Sequence, residues 1–159
     1  MPMDKPTALN FLSILTEKFP HVPTIKQDVA LEKLAHFVVN GKKDDIFLLK
    51  GFAGTGKTTI VATMVSSLWK IRMSSVLMAP TGRAAKVMSV YSGNKAFTIH
   101  KKIYFPKKQA GGGVQFVLAP NKHRNTIFIV DEASMIPDTL GRIEAAASDL
   151  EAFLVSQAM

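Results

Sequence analysis

At 159 residues the chain is long enough for one domain with a real core and too short for two of ordinary size. Apolar residues make up 47%, a globular rather than a disordered composition, and no apolar run approaches the roughly 20 residues of a helical membrane span. The absence of cysteine excludes disulfides and thiolate metal sites, and the mixed polarity after Asp4 and Lys5 does not read as a signal peptide, so a cytoplasmic protein with no membrane partner is expected.

Ala8, Phe11, Leu12, Leu15 and Phe19 recur at helical spacing and predict a helix over 7–19 capped by Thr7. Pro20 and Pro23 break it, and a second helix is predicted from about Ile25 to Val39, closed by Asn40-Gly41. From there the pattern alternates. Ile46–Leu49 reads as a buried strand, 57–70 as a helix, Ser75–Met78 as a strand, Gly82–Val90 as a helix and Ile127–Val130 as a third buried strand. Strand, helix, strand, helix, strand implies right-handed crossovers and a parallel sheet. Residues 105–119, with Ala110-Gly-Gly-Gly113 at their centre, read as a β-hairpin or a mobile loop. Ile143, Leu150 and Leu154 place one more helix in the tail from Leu140 to Met159.

Net charge is +8, and its distribution is uneven. No acidic residue lies between Asp45 and Asp131, whereas that stretch carries Lys and Arg throughout, including Lys101, Lys102, Lys107 and Lys108. Such a segment attracts phosphate backbones; a solvated basic face accounts for the same charge.

Gly51-Phe-Ala-Gly-Thr-Gly-Lys-Thr-Thr59 satisfies the P-loop pattern between a predicted strand and a predicted helix. Glycines let such a loop turn its amides inward, and the following helix offers its unpaired N–H groups and positive dipole end to the same phosphates. Gly51, Ala53, Gly54, Thr55, Gly56, Lys57, Thr58 and Thr59 are therefore the candidate nucleotide contacts. Lys57 would reach the β- and γ-phosphates, and Thr58 would offer its hydroxyl to Mg²⁺.

Ile127-Phe-Ile-Val-Asp-Glu132 delivers two adjacent carboxylates at the end of an apolar strand, where an α/β sheet places ligand chemistry. Asp131 is the candidate Mg²⁺ carboxylate, as in a Walker B motif, and Glu132 the candidate base that polarises the attacking water. Two ordinary acids opening a surface loop are the alternative for an isolated Asp-Glu.

Together these segments resemble the superfamily 1 DNA helicases of the RecD-like and Dda-like group. The likeness rests on GFAGTGKTT, on Ala79-Pro-Thr-Gly-Arg-Ala-Ala85, on Thr98-Ile-His100 and on Asp131-Glu-Ala-Ser-Met135, in order over about residues 24–137. It implies an α/β fold: a P-loop NTPase (RecA-like) three-layer sandwich with a mainly parallel sheet, here an incomplete lobe over 42–159 preceded by a helical segment over 1–41. It implies ATP and Mg²⁺ as cofactors, Gln27 as the residue reading the adenine edge, and Thr81, Gly82, Arg83, Thr98 and His100 as contacts to single-stranded DNA. Phe97 and Tyr104 would be available to stack on bases, although apolar packing is the simpler fate of Phe97.

Family members carry a second RecA-like lobe whose arginine fingers, in related phosphoryl-transfer enzymes, contribute roughly three to five orders of magnitude to turnover. Nothing in this sequence matches that lobe, and Arg142 is the sole arginine after the acid pair. The expectation is half a motor: a chain that binds nucleotide and single-stranded DNA, hydrolyses slowly by itself, lacks its second lobe, and exposes an open sheet edge through which it self-associates. A non-catalytic nucleotide- and DNA-binding module acting with a partner is the competing reading. A P-loop kinase is a third, which leaves the acid-free stretch and Thr81-Gly82-Arg83 unexplained.

Overall fold

The computed structural model describes residues 4–51, 54–136 and 147–155. They form two compact units, Met1–Ser74 and Ser75–Met159.

Threonine caps start the helices of the first unit. Thr7 Oγ1 accepts from the Asn10 amide at 3.1 Å and opens α1 (Ala8–Lys18). Thr24 Oγ1 accepts from the Gln27 amide at 3.2 Å while Gln27 Oε1 accepts from the Thr24 amide at 2.9 Å, a reciprocal box that opens α2 (Ile25–Asn40). Phe11 and Leu15 of α1, and Leu31, Leu34, Ala35 and Val38 of α2, are buried at the spacing of one helical face. α1 packs on α2 and on α3 (Lys57–Ser67), which tightens into a 3₁₀ turn over Leu68–Ile71.

Residues 46–50 depart from expectation. They carry no regular secondary structure and join no sheet among the described residues. Ile46 is 83% and Leu48 65% exposed, whereas Phe47 tucks inward with its ring centroid 5.4 Å from that of Phe37. Four consecutive apolar residues suit a strand buried on both faces, but a strand exists only where a neighbour completes its hydrogen-bond ladder.

The second unit is built on a three-stranded parallel sheet ordered β2-β1-β5. β1 (Ser74–Ala79) is central, and its Val76, Leu77, Met78 and Ala79 are all buried, so both faces are covered. α4 (Gly82–Ser92) follows β1 and returns the chain to β2 (Ala96–Thr98), whose Ala96, Phe97 and Thr98 pair with Leu77, Met78 and Ala79. A short α5 (Ile99–Ile103) runs into the antiparallel hairpin of β3 (Tyr104–Lys108) and β4 (Val114–Leu118). Its tip turns through Gly112 and Gly113, with φ of 86° and 91°, so the glycine run makes a hairpin turn. β5 (Thr126–Val130) flanks β1 on the side away from β2.

α6 (Ala147–Val155) is a helix in the tail; residues 137–146, with Ile143 and Arg142, and residues 156–159 lie outside the described residues. Leu150 and Phe153 of α6 join Val76, Met78, Ile99 and Ile103 in one buried cluster, and the Phe153 ring meets Phe128 edge-on at 5.9 Å. Polar clasps fix the helix: Asn121 Nδ2 donates to the Phe153 carbonyl at 3.2 Å, and the Tyr104 hydroxyl donates to Asp149. Phe153→Ala should therefore lower the unfolding free energy by about 3 kcal/mol, read from urea denaturation. A loss under about 1 kcal/mol would show that α6 is not part of this core.

Candidate functional site

Among α1 to α5, α3 alone starts without a side-chain cap. Thr7, Thr24, Thr81 and Thr98 each accept from an amide in the first turn of α1, α2, α4 and α5, at 3.1–3.2 Å. α3 starts instead at Gly56, whose φ of +87° is left-handed and which has no side chain to offer the first turn. The first turn of α3 thus has no N-cap side chain to satisfy its amides, and the helix dipole favours negative charge there.

Steric detail agrees with this. A Cβ on Gly56 would sit 2.4 Å from Gln27 Nε2, and one on Gly51 would sit 2.6 Å from Thr55 Oγ1, so a side chain at either position would displace its neighbour. Lys57 Nζ donates to the Gly51 carbonyl, which folds the ammonium back over the loop. Thr58 is exposed in the first turn of α3, and Thr59 is half-buried, its carbonyl accepting from Thr63 Oγ1 at 2.8 Å. Gly54 is exposed with φ +81°. Ala53 lies outside the described residues, as does Phe52.

Gln27 reaches this loop. Its Nε2 donates to the Thr55 carbonyl at 3.4 Å while its Oε1 closes the α2 capping box. A side-chain amide has two donors and two lone pairs, so one of each is left over for a ligand edge. The capping box is a local reason for glutamine here that the sequence pattern Thr24-x-x-Gln27 already carries.

In the second unit, Asp131 and Glu132 follow β5. The Asp131 amide donates to the Met78 carbonyl at 3.0 Å, which extends the β1–β5 pairing by one residue. The Asp131 carboxylate is held at both oxygens: Oδ1 accepts from the Glu132 amide at 2.9 Å, and Oδ2 from the Tyr91 hydroxyl at 2.9 Å. Burial, then the hydrogen bond and charge of Asp131 and the charge of Glu132, push the Tyr91 pKa well up, so the phenol stays a donor. Tyr91 stands 40 residues from Asp131, and no local pattern in the sequence announces it. Glu132 is exposed and adopts φ 54°, ψ 39°, a left-handed conformation that costs a non-glycine residue roughly 1–2 kcal/mol.

Among the described residues no group of three or more His, Asp or Glu side chains could enclose a metal. A Mg²⁺ held by one carboxylate, one hydroxyl, phosphate oxygens and water needs no such cage.

The candidate nucleic-acid residues cluster around α4, α5 and the hairpin. Thr81 and Thr98 both act as helix caps, which is a structural reason for each hydroxyl. Gly82 and Arg83 are exposed at the start of α4. Phe97 is half-buried between two ammonium groups, with Lys95 Nζ 5.1 Å and Lys102 Nζ 4.8 Å from its ring centroid. His100 packs between Tyr104 and Phe116, both centroids at 4.9 Å. Beyond it the hairpin exposes Phe105, Val114 and Phe116 beside Lys107 and Lys108. β2, α5 and the part played by Phe116 had no counterpart in the sequence pattern.

Residues 36–155 match the family described as an AAA domain. The chain is 30% identical over 126 residues to an uncharacterised protein of Methanocaldococcus jannaschii, a match covering 72% of this chain and 11% of that protein. It is 30% identical over 132 residues to the ATP-dependent DNA helicase dda of Enterobacteria phage T4, covering 81% of this chain and 28% of the helicase. It is 32% identical over 96 residues to the ATP-dependent RecD2 DNA helicase of Deinococcus radiodurans, covering 60% and 13%. The chain thus spans from about a tenth to just over a quarter of the length of these relatives. No solved structure matches it. No helix among the described residues is long and apolar enough to cross a membrane.

Substitutions at two positions test the backbone geometry. Gly56→Ala should destabilise by about 1–3 kcal/mol in thermal or urea unfolding, because the left-handed φ and the Gln27 contact both oppose a Cβ. Glu132→Gly should be more stable than Glu132→Ala by roughly 1 kcal/mol, since glycine relieves the left-handed strain. Equal stabilities of the two Glu132 variants would show that the strained conformation is not adopted.

Proposed function

Because the chain belongs to the AAA domain family and to the RecD-like and Dda-like group of superfamily 1 helicases, we propose that it is the ATP- and Mg²⁺-binding N-terminal motor lobe of an ATP-dependent DNA helicase. The observation that carries this reading is the uncapped start of α3 at Gly56, set beside α1, α2, α4 and α5, each of which begins with a threonine cap. Residues 1–41 form the helical segment that brings Gln27 to the adenine, and 42–159 form the lobe.

The chain's own residues then have distinct tasks. Amides of Gly54 to Thr59 donate to the phosphate oxygens, and Lys57 leaves the Gly51 carbonyl for a phosphate oxygen, a stronger charge-assisted partner. Thr58 would offer its hydroxyl and Asp131 its carboxylate to Mg²⁺, which would supply charge neutralisation when bound. Glu132 orients water by accepting its proton through a carboxylate oxygen. Thr81, Gly82, Arg83, Thr98 and His100 line a single-strand path, with the Lys101, Lys102, Lys107 and Lys108 charges drawing the backbone.

A second lobe supplies the arginine that this reading lacks, so turnover by the chain alone is slow. The outer edges of the three-stranded sheet, β2 and β5, offer a route to self-association. The cytoplasm is the compartment we propose.

Lys57→Ala should abolish Mg·ADP binding in calorimetry, whereas Glu132→Gln should bind nucleotide normally and lose what turnover there is. Unchanged affinity in Lys57→Ala would sink the cradle assignment. Arg83→Ala and His100→Ala should each weaken single-strand binding by about tenfold at moderate salt and leave nucleotide affinity intact. No effect from either would remove those residues from the path.

A further inference from the structure

Tyr91 has no place in the scheme above, yet it makes a direct side-chain contact with the carboxylate on which that scheme relies. It lies on the last turn of α4, half-buried, and its hydroxyl donates to Asp131 Oδ2 at 2.9 Å. The opposite oxygen, Oδ1, accepts from the Glu132 amide at 2.9 Å, and the Asp131 amide is tied to the Met78 carbonyl at 3.0 Å.

An aspartate at a strand end can turn about its last side-chain torsion, which is broad for a carboxylate. One backbone donor on Oδ1 leaves that rotation open. A second donor on Oδ2, delivered from a different element, fixes the carboxylate plane. Both donors are neutral, so the negative charge is kept, and each oxygen retains a lone pair for a metal-bound water. Outer partners of this kind orient a metal-binding carboxylate without touching the metal.

We propose that Tyr91 is a positioning residue for Asp131, setting the orientation in which its carboxylate receives the hydrated Mg²⁺ of a bound nucleotide. The proposal rests on the reading of Asp131 as the metal carboxylate. The bland alternative is that a half-buried phenol takes whichever acceptor is near. That role would affect folding stability and leave metal affinity alone, which makes the two separable.

The test is a Mg²⁺ titration of fluorescent ADP-analogue binding by the whole chain, in wild type, Tyr91→Phe, Asp131→Asn and the double variant. Tyr91→Phe should raise the Mg²⁺ midpoint about tenfold and leave affinity for the metal-free analogue unchanged. Added to Asp131→Asn it should raise the midpoint no further, because its effect passes through that carboxylate. An unchanged or lowered midpoint in Tyr91→Phe, with Asp131→Asn raised, overturns the role of Tyr91 alone. An unmoved midpoint in Asp131→Asn overturns the metal reading of Asp131 and this proposal with it.

A second measurement needs no substitution at 91. The chain has two tyrosines, Tyr91 and Tyr104, so a ¹³C label at tyrosine Cζ gives two resonances. Adding Mg²⁺ to the ADP-bound chain should shift the Tyr91 signal and leave Tyr104 in place. A Tyr91 signal that does not respond contradicts the proposal even if the phenylalanine variant fails to fold.

Discussion

The proposed chemistry of the first unit depends on one backbone conformation, the left-handed φ of +87° at Gly56. A helix start must satisfy its first amides, and this chain does so repeatedly with threonine. At α3 the same place holds a glycine that cannot cap, in a conformation that a Cβ would strain and beside a Gln27 amide that a Cβ would strike. Stability is thereby given up locally, on the order of 1 kcal/mol for a missing cap. An anion at a helix N-terminus recovers a similar amount. The proposed phosphate would supply what a threonine cap supplies elsewhere.

The second unit solves a different problem, that of presenting negative charge at the end of a buried strand. β1 is covered on both faces and holds β5 in register, so Asp131 is fixed through its amide before its side chain is considered. The carboxylate is then held by a backbone amide and a phenol, and Glu132 is turned outward by a strained conformation. Strain at a non-glycine residue persists only where neighbours impose it, here the 3₁₀ turn that begins at Ala133.

Much of this was legible in the sequence, for local reasons. Thr7 announces a cap, the apolar spacing of Phe11, Leu15, Leu31 and Leu34 gives the helices, and Gly51 to Thr59 and Asp131-Glu132 stand out as candidates because their spacing is chemical, whereas the Thr24/Gln27 capping box went unread. Illegible features were those that depend on distant partners. Ile46–Leu49 has the composition of a core strand and joins no sheet, since composition does not supply a neighbour. β2 is only three residues long and exists because Leu77 to Ala79 template it. Tyr91 meets Asp131 through the tertiary fold, and the ring of Phe116 reaches His100 across the hairpin. Thr81 and Thr98, prominent in the family likeness, prove to cap helices, a role that residue type alone would also have allowed.

The central claim is that the amides at the start of α3 receive the phosphates of a nucleotide. The most direct measurement is a titration of the ¹⁵N-labelled chain with Mg·ADP, following backbone amide shifts. The largest changes should fall on Gly54, Thr55, Gly56, Lys57, Thr58 and Thr59. Saturable binding with those amides unmoved, and the largest shifts at the threonine-capped starts of α1, α2 or α4, would contradict the account.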